Sequence, residues 1–364
     1  MLSTPSQLVP GCILLKDIYG KSNRPIIYKH TILTEQHIEF LKAFLVESVE
    51  VDPNLSNGKV FEPKLVDEQV GRISPNSVED QNGISTFKQH FQKAVKDYKK
   101  LYKTIQSGIP LDILKVRQII IPLLERVDEI DENVTRLHHY GEKRDYLFFH
   151  SIALGILSSY LARKLGFSKG EWLQIGIAGL LSDSGMAKIN SNIILKDAPL
   201  LESELEEIKK HPTYSYRLVE HISALTVGVK LAVLQHHERL DGSGYPLGVP
   251  MDKIHKYAQI VAVCDTYHAM TSERLYKEKK SPYKVIEEIQ KNQYTKFNPE
   301  IVKVFAKSLA NFSVGTKILL NNKQQGEVIF VEPANPTRPI IRLEHNGDII
   351  ALQTAPNLHI EQKI

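Results

Sequence analysis

The sequence predicts a mainly α protein: a helical-bundle core, preceded by a small N-terminal α+β cap and followed by a small C-terminal β module. Three observations predict it. From Phe87 to Ile105 apolar residues return every three or four positions, the spacing of a helix with a buried face, and helical runs with cap signals follow to about residue 310. Before residue 52 and after Phe312, short β-type runs alternate with turns bearing Asn, Gly and Pro. No segment repeats with a period of roughly 20–50 residues, which argues against a solenoid.

In chain order, β-type runs at Cys12 to Leu15, Pro25 to Tyr28 and Ser48 to Val51 surround a helical pattern that begins at Thr34 and places Ile38, Leu41 and Leu45 on one face. This gives the cap, 1–52. Residues 53–85 carry Asn, Gly, Pro, Ser and charges without a sustained period and are expected to form a linker. Residues 86–140 form a helical connecting segment. Phe87, Phe91, Ala94, Tyr98, Leu101 and Ile105 share a face of its first helix, which stops at Ser107-Gly108-Ile109-Pro110. A second helix runs to about His139, kinked or split at Pro122.

The bundle proper is expected over 141–311. Helices fall near 144–165, 168–181 (opened by the box Ser168-x-x-Glu171), 203–210 (opened by Ser203-x-x-Glu206), 213–222, 225–237, 254–273 and 282–292. The last, 299–310, takes Asn298 as cap and Pro299 as its first residue. Strands at Thr316 to Leu320, Glu327 to Val331, Pro339 to Leu343 and Ile349 to Leu352 build the closing module, 312–364.

Composition narrows the function classes. Hydrophobic residues make up 42% and charged residues 24% of the 364, so the chain can bury a core. The net charge of +4 is too dilute to make DNA or an anionic membrane the main partner. Cys12 and Cys264 stand far apart and suggest neither a disulfide framework nor a zinc ribbon. The apolar run Trp172 to Ser182 ends at Asp183, well short of the roughly 18–20 residues of a membrane span. With no signal-peptide pattern at the start, the expected place is the cytoplasm.

Several polar residues lie inside apolar runs, where an unpaired imidazole or carboxylate is costly to bury. His150 lies within Tyr146-Leu-Phe-Phe-His-Ser-Ile, Asp183 follows Ile177-Ala-Gly-Leu-Leu-Ser, and Asp265 follows Ile260-Val-Ala-Val-Cys. His211 stands at a helix stop before Pro212. His236 and His237 end another helix just before Asp241-Gly-Ser-Gly-Tyr-Pro246. Adjacent residues on a regular helix point about 100° apart, so these two imidazoles converge only where the helix is ending. Taken singly, each has an ordinary structural reading. Together, imidazoles with interleaved carboxylates are a ligand set for Fe, Mn, Zn or Ni.

The run Gln235-His-His-Glu-Arg-Leu-Asp-Gly-Ser-Gly-Tyr-Pro246 resembles the signature of the HD-GYP family, bacterial metal-dependent phosphodiesterases of cyclic di-GMP within the HD superfamily. The surrounding order agrees: His150-Ser, Ser182-Asp-Ser-Gly-Met186, His211-Pro, the GYP block, then Asp265-Thr-Tyr-His-Ala-Met-Thr-Ser-Glu-Arg274. The resemblance runs from about 141 to 311 and implies an HD-type bundle holding two ions. One site would take His150, the HD histidine, Asp183 and Asp265. The other would take Asp183, His211, His236 and His237, with Asp183 as the shared catalytic carboxylate. It also implies a substrate-binding role for Arg239, Asp241, Gly244, Tyr245, Arg274 and Lys277.

Two positions depart from that pattern. The HD histidine is Ser182, a poor transition-metal ligand, so one site is expected to be well liganded and the other weakened. The family lysine is Met186, which cannot stabilise charge developing on a phosphate. Tyr146 stands where members with a third metal carry Glu. The resemblance therefore implies a cyclic di-GMP phosphodiesterase with impaired activity. The alternative is an inactive domain that binds a nucleotide or a signalling partner such as a diguanylate cyclase; a broader HD phosphohydrolase is a third reading, disfavoured by the complete GYP block.

Overall fold

A computed structural model describes all residues except 6, 20–24, 36, 39–40, 42–45, 47, 64–85, 131–133, 142–144 and 274–278. The chain divides into two units, 1–83 and 84–364.

In the first unit, β1 (Leu2–Ser3) pairs antiparallel with β4 (Val49–Glu50), and β2 (Ile18–Tyr19) with β3 (Pro25–Ile27). The run at Cys12 to Leu15 makes only single bridges, Ile13 to Ile32 and Leu14 to Val51. Leu8, Cys12, Leu14, Leu33, Val51 and Phe61 lie in one apolar core with Ile38 and Leu41. Leu45 lies outside the described residues. Residues 53–61, expected to begin a linker, fold onto this core: Phe61 is buried and its N–H donates to the Pro53 carbonyl. Leu55 packs against the same core and the Ser56 N–H donates to the Gly11 carbonyl, which ties down an otherwise polar segment.

The second unit opens with α1 (Phe87–Gln106), closed at its start by Thr86 and Gln89: the Thr86 N–H donates to Gln89 Oε1, and Thr86 Oγ1 accepts from the Gln89 N–H. Next, α2 (Ile113–Glu125) ends three residues after Pro122 instead of running to His139. Two 3₁₀ turns, Val127–Ile130 and Val134–His139, follow it. Proline withdraws one helical N–H, and the tighter turns take over.

The centre is built from α3 (Tyr146–Lys164), α4 (Lys169–Ser182) and α9 (Lys256–Thr271), each buried on nearly every side. Helices apolar all round need neighbours all round. A Cβ at Gly155 would stand 2.9 Å from the Gly176 carbonyl oxygen, so α3 and α4 approach at backbone distance. Around them lie α5 (Ser191–Ile194), α6 (Glu202–Ile208), α7 (His211–Val219), α8 (Val227–Gln235), α10 (Pro282–Lys291) and α11 (Pro299–Leu309).

Two local expectations shift. Glu204, not Glu206, closes the start of α6, accepting from the Leu201 N–H at 2.7 Å while Lys196 pairs with it at 2.6 Å, so Ser203 falls inside the first turn. His211 opens α7 instead of stopping a helix, because Pro212 sits in the first turn, where its missing N–H costs nothing.

The chain closes in an antiparallel sheet of order β8-β7-β6-β5-β9: β5 (Lys317–Leu320), β6 (Gln325–Phe330), β7 (Ile340–Leu343), β8 (Ile349–Ala351) and β9 (Ile360–Lys363). Strand β9 has one buried apolar residue, Ile360, followed by Glu, Gln and Lys, too polar a pattern to read as a strand but suited to an edge. Among the described residues no helix is long and apolar enough to cross a membrane.

Candidate metal centre

Six polar residues from five stretches meet at one place. His150 lies in the second turn of α3; Asp183 caps the C-terminus of α4; His211 opens α7; His236 caps the C-terminus of α8 and His237 follows it; Asp265 lies in α9. His150, His211 and His236 are each at most 3% exposed.

Asp183 spans the cluster. Its Oδ1 is 3.2 Å from His211 Nε2 and 3.6 Å from His236 Nε2, and its Oδ2 is 3.4 Å from His150 Nε2. Asp265 lies across from it, with Oδ1 3.2 Å from His150 Nε2 and Oδ2 3.6 Å from His237 Nδ1. Burial alone would raise the Asp183 carboxyl, but the hydrogen bonds that His211 and His236 offer when protonated at Nε2, with the charges of His211 and His150 in that form, hold it well below the usual carboxylate range. Burial acts the same way on Asp265, where the hydrogen bond that a proton on His150 Nε2 offers outweighs it. For His237, burial and then the charge of His236 push the imidazole well below its ordinary value, so it is neutral.

Backbone carbonyls decide the tautomers. His211 Nδ1 is 2.7 Å from the Ile208 carbonyl, and His236 Nδ1 is 2.9 Å from the Val233 carbonyl. A carbonyl only accepts, so both Nδ1 atoms carry a proton, and in its neutral form each ring presents a lone pair at Nε2. The two Nε2 atoms face each other at 3.1 Å, beside the Asp183 carboxylate. Two neutral rings so placed repel, and a proton or a metal cation between them relieves it.

Asp183, His211, His236 and His237 bring ligand atoms within 4.8 Å of one another. Ligands about 2.0–2.1 Å from one tetrahedral ion lie ~3.3 Å apart, close to the separations above. These residues fit a divalent transition metal.

The motif around the two histidines also fastens its own loop. Glu238, buried, accepts from the Leu247 N–H at 2.7 Å and the Val249 N–H at 3.3 Å. Gln235 donates to the Lys253 carbonyl and accepts from the His255 N–H. Helix α8 therefore ends at Gln235, before the glycines, and this frees His236 and His237 to converge, with ring centroids 4.1 Å apart. Gly244 is required there, since a Cβ would fall 2.4 Å from the Arg239 nitrogen. Tyr245 stacks on His237 at 4.6 Å, and Asp241 accepts from the N–H and hydroxyl of Ser243 at the exposed loop tip. Arg239 donates to the carbonyls of His236 and Glu238 and lies over the Phe297 ring, an engagement that turns it toward the loop. Arg274 and Lys277 lie outside the described residues.

Ser182 is fully buried, and its hydroxyl donates to the Ala178 carbonyl at 2.8 Å, away from any ligand role. Lys188, two residues beyond Met186, carries its ammonium to the Ile105 carbonyl. One residue escaped the sequence reading: His268, one turn after Asp265 on α9, with Nδ1 2.8 Å from His150 Nδ1. Its signal was the Asp265-x-x-His268 spacing, which puts both on one helix face.

A family model described as HD domain matches residues 109–301, more than half of the chain. A cyclic di-GMP phosphodiesterase of Pseudomonas aeruginosa is 33% identical over 56% of this chain and 50% of its own length. A 3'3'-cGAMP-specific phosphodiesterase of Vibrio cholerae is 24% identical over 78% of this chain and 57% of its own. The chain thus spans about half the length of these relatives. Among solved structures, Bd1817, an HDG"Y"P protein from Bdellovibrio bacteriovorus, is similar in fold with a TM-score of 0.50 at 15% identity, over 85% of this chain and 99% of that one.

Proposed function

The chain belongs to the HD domain family, and from that premise we propose that it binds a divalent transition metal and acts in the cytoplasm on the phosphodiester bonds of a cyclic dinucleotide, with impaired hydrolysis. One observation carries the reading: the buried, tautomer-fixed Nε2 atoms of His211 and His236, 3.1 Å apart beside a carboxylate. The bonds of 3'3'-cyclic dinucleotides are chemically alike, and the relatives named for cyclic di-GMP and for cGAMP support that substrate class.

Asp183, His211, His236 and His237 would hold the ion, with His150 on the far oxygen of Asp183 and Asp265 beside His150. A bound ion supplies Lewis-acid polarisation of a phosphoryl oxygen. The chain's own part is orientation and charge. Asp183 stays ionised between both halves of the site, and Tyr245 offers an aromatic face against His237 at its edge. Arg274 and Lys277 are proposed to meet phosphate.

A second reading, nucleotide or partner binding without turnover, is favoured by Ser182 and Met186. The first turns its hydroxyl to a helix carbonyl, and the second offers a thioether where a cation would stabilise charge.

The test is hydrolysis of cyclic di-GMP and of 3'3'-cGAMP by the full chain with added manganese or iron, alongside metal analysis and the double change Ser182→His, Met186→Lys. Slow turnover by the wild type and about a hundredfold gain in the double variant are expected. Equal rates would refute the account of the two departures. A wild-type chain that takes up no metal would refute the ligand set.

A further inference from the structure

His211 and His236 sit at helix ends, where backbone carbonyls are spare, and each uses one to keep its proton on Nδ1. His150 has no such recourse. It lies in the second turn of α3, where the carbonyls are consumed by the helix, so only a side chain can fix its tautomer. Two side-chain atoms reach its Nδ1: the Tyr146 hydroxyl at 3.2 Å and His268 Nδ1 at 2.8 Å. The nearer is another imidazole, which accepts as readily as it donates.

We propose that His268 is a positioning residue for His150, its Nδ1 accepting the Nδ1–H of His150 so that His150 Nε2 presents a lone pair to the space between Asp183 and Asp265. Two nitrogens 2.8 Å apart and both buried require one proton between them. If that proton stayed on His268, His150 would carry its own on Nε2, pointing at the two carboxylates 3.2 and 3.4 Å away, and would close that half of the centre to an ion. Partners of this kind commonly govern the orientation and basicity of a ligating imidazole. Ser272, with Oγ 3.3 Å from His268 Nδ1, and the Phe149 ring edge-on at 5.6 Å hold the second imidazole in place. In a chain whose HD histidine is Ser182, His268 thus supports the one imidazole left on that side.

The inference rests on the metal reading above, and its test separates the two. In the full chain labelled with ¹⁵N-histidine and loaded with zinc, His150 is expected as the Nδ1–H form, with a scalar coupling across the hydrogen bond to His268 Nδ1. His268→Phe is expected to abolish the coupling, move His150 to the Nε2–H form and weaken the His150-side ion by about 10–100-fold. His268→Asn, whose Oδ1 accepts, restores the Nδ1–H form. Finding His150 as Nε2–H in the loaded wild type, or unchanged in His268→Phe, overturns the inference while leaving the ion at His211 and His236 untouched. A coupled pair in a chain that takes up no zinc instead overturns the metal reading and leaves the pairing standing.

Discussion

Replacing Asp183 by Asn keeps the shape of the side chain and removes the one charge that faces His150, His211 and His236 together. An ion that binds only the folded protein stabilises it by about 2.7 kcal/mol at a hundred times its Kd. For a domain of this size each kcal/mol raises Tm by roughly 2–4 °C, so saturating zinc is expected to lift the wild-type Tm by about 5–10 °C over the chelated protein. Asp183 supplies the carboxylate of the four-residue ligand group, and its loss is expected to cost ~100-fold in affinity, at the upper end of what even outer partners are worth. At the same zinc concentration the variant then sits near its Kd, the stabilisation falls to about 0.4 kcal/mol, and the shift shrinks to about 1 °C. Differential scanning calorimetry of both proteins, each with zinc and with EDTA, reads the four midpoints. A variant that keeps the full zinc-induced shift would refute the placement of the ion beside Asp183.

Two further outcomes follow from the surroundings of the site and from a group outside the ligand set. Glu238→Leu leaves the N–H groups of Leu247 and Val249 without their acceptor and is expected to cost about 2–3 kcal/mol in urea unfolding; a loss below about 0.5 kcal/mol would show that the carboxylate does not anchor the loop. His138 is half-buried, and burial, followed by the charges of His139 and Lys279, pushes its imidazole down to about 3. The unfolded chain takes up that proton first, so the stability tied to His138 is complete above pH 6.5 and drains away as pH falls toward about 3. With EDTA present, urea midpoints between pH 7.5 and 5 are expected to fall less steeply in His138→Gln than in the wild type, by up to ~1 kcal/mol per pH unit, and parallel profiles would refute the assignment.

Local chemistry was legible in the sequence because it acts over a few residues. The 3.6-residue period marked α1, and Ser168 with Glu171 closed the start of α4 as read, the Glu171 carboxylate accepting from both the N–H and the hydroxyl of Ser168. Buried polar residues in apolar runs are too costly to be incidental, so His150, Asp183, His211, His236, His237 and Asp265 stood out before any packing was known. Tertiary structure decided what depends on partners distant in the chain. It turned Ser182 back to Ala178, gave Glu238 its two N–H groups, drew the polar β9 to the sheet edge beside β5, and set His268 against His150 from 118 residues away. An imidazole's tautomer is fixed by whichever acceptor reaches its second nitrogen, and three helices placed those acceptors: two by ending near the centre, and one by presenting a second histidine.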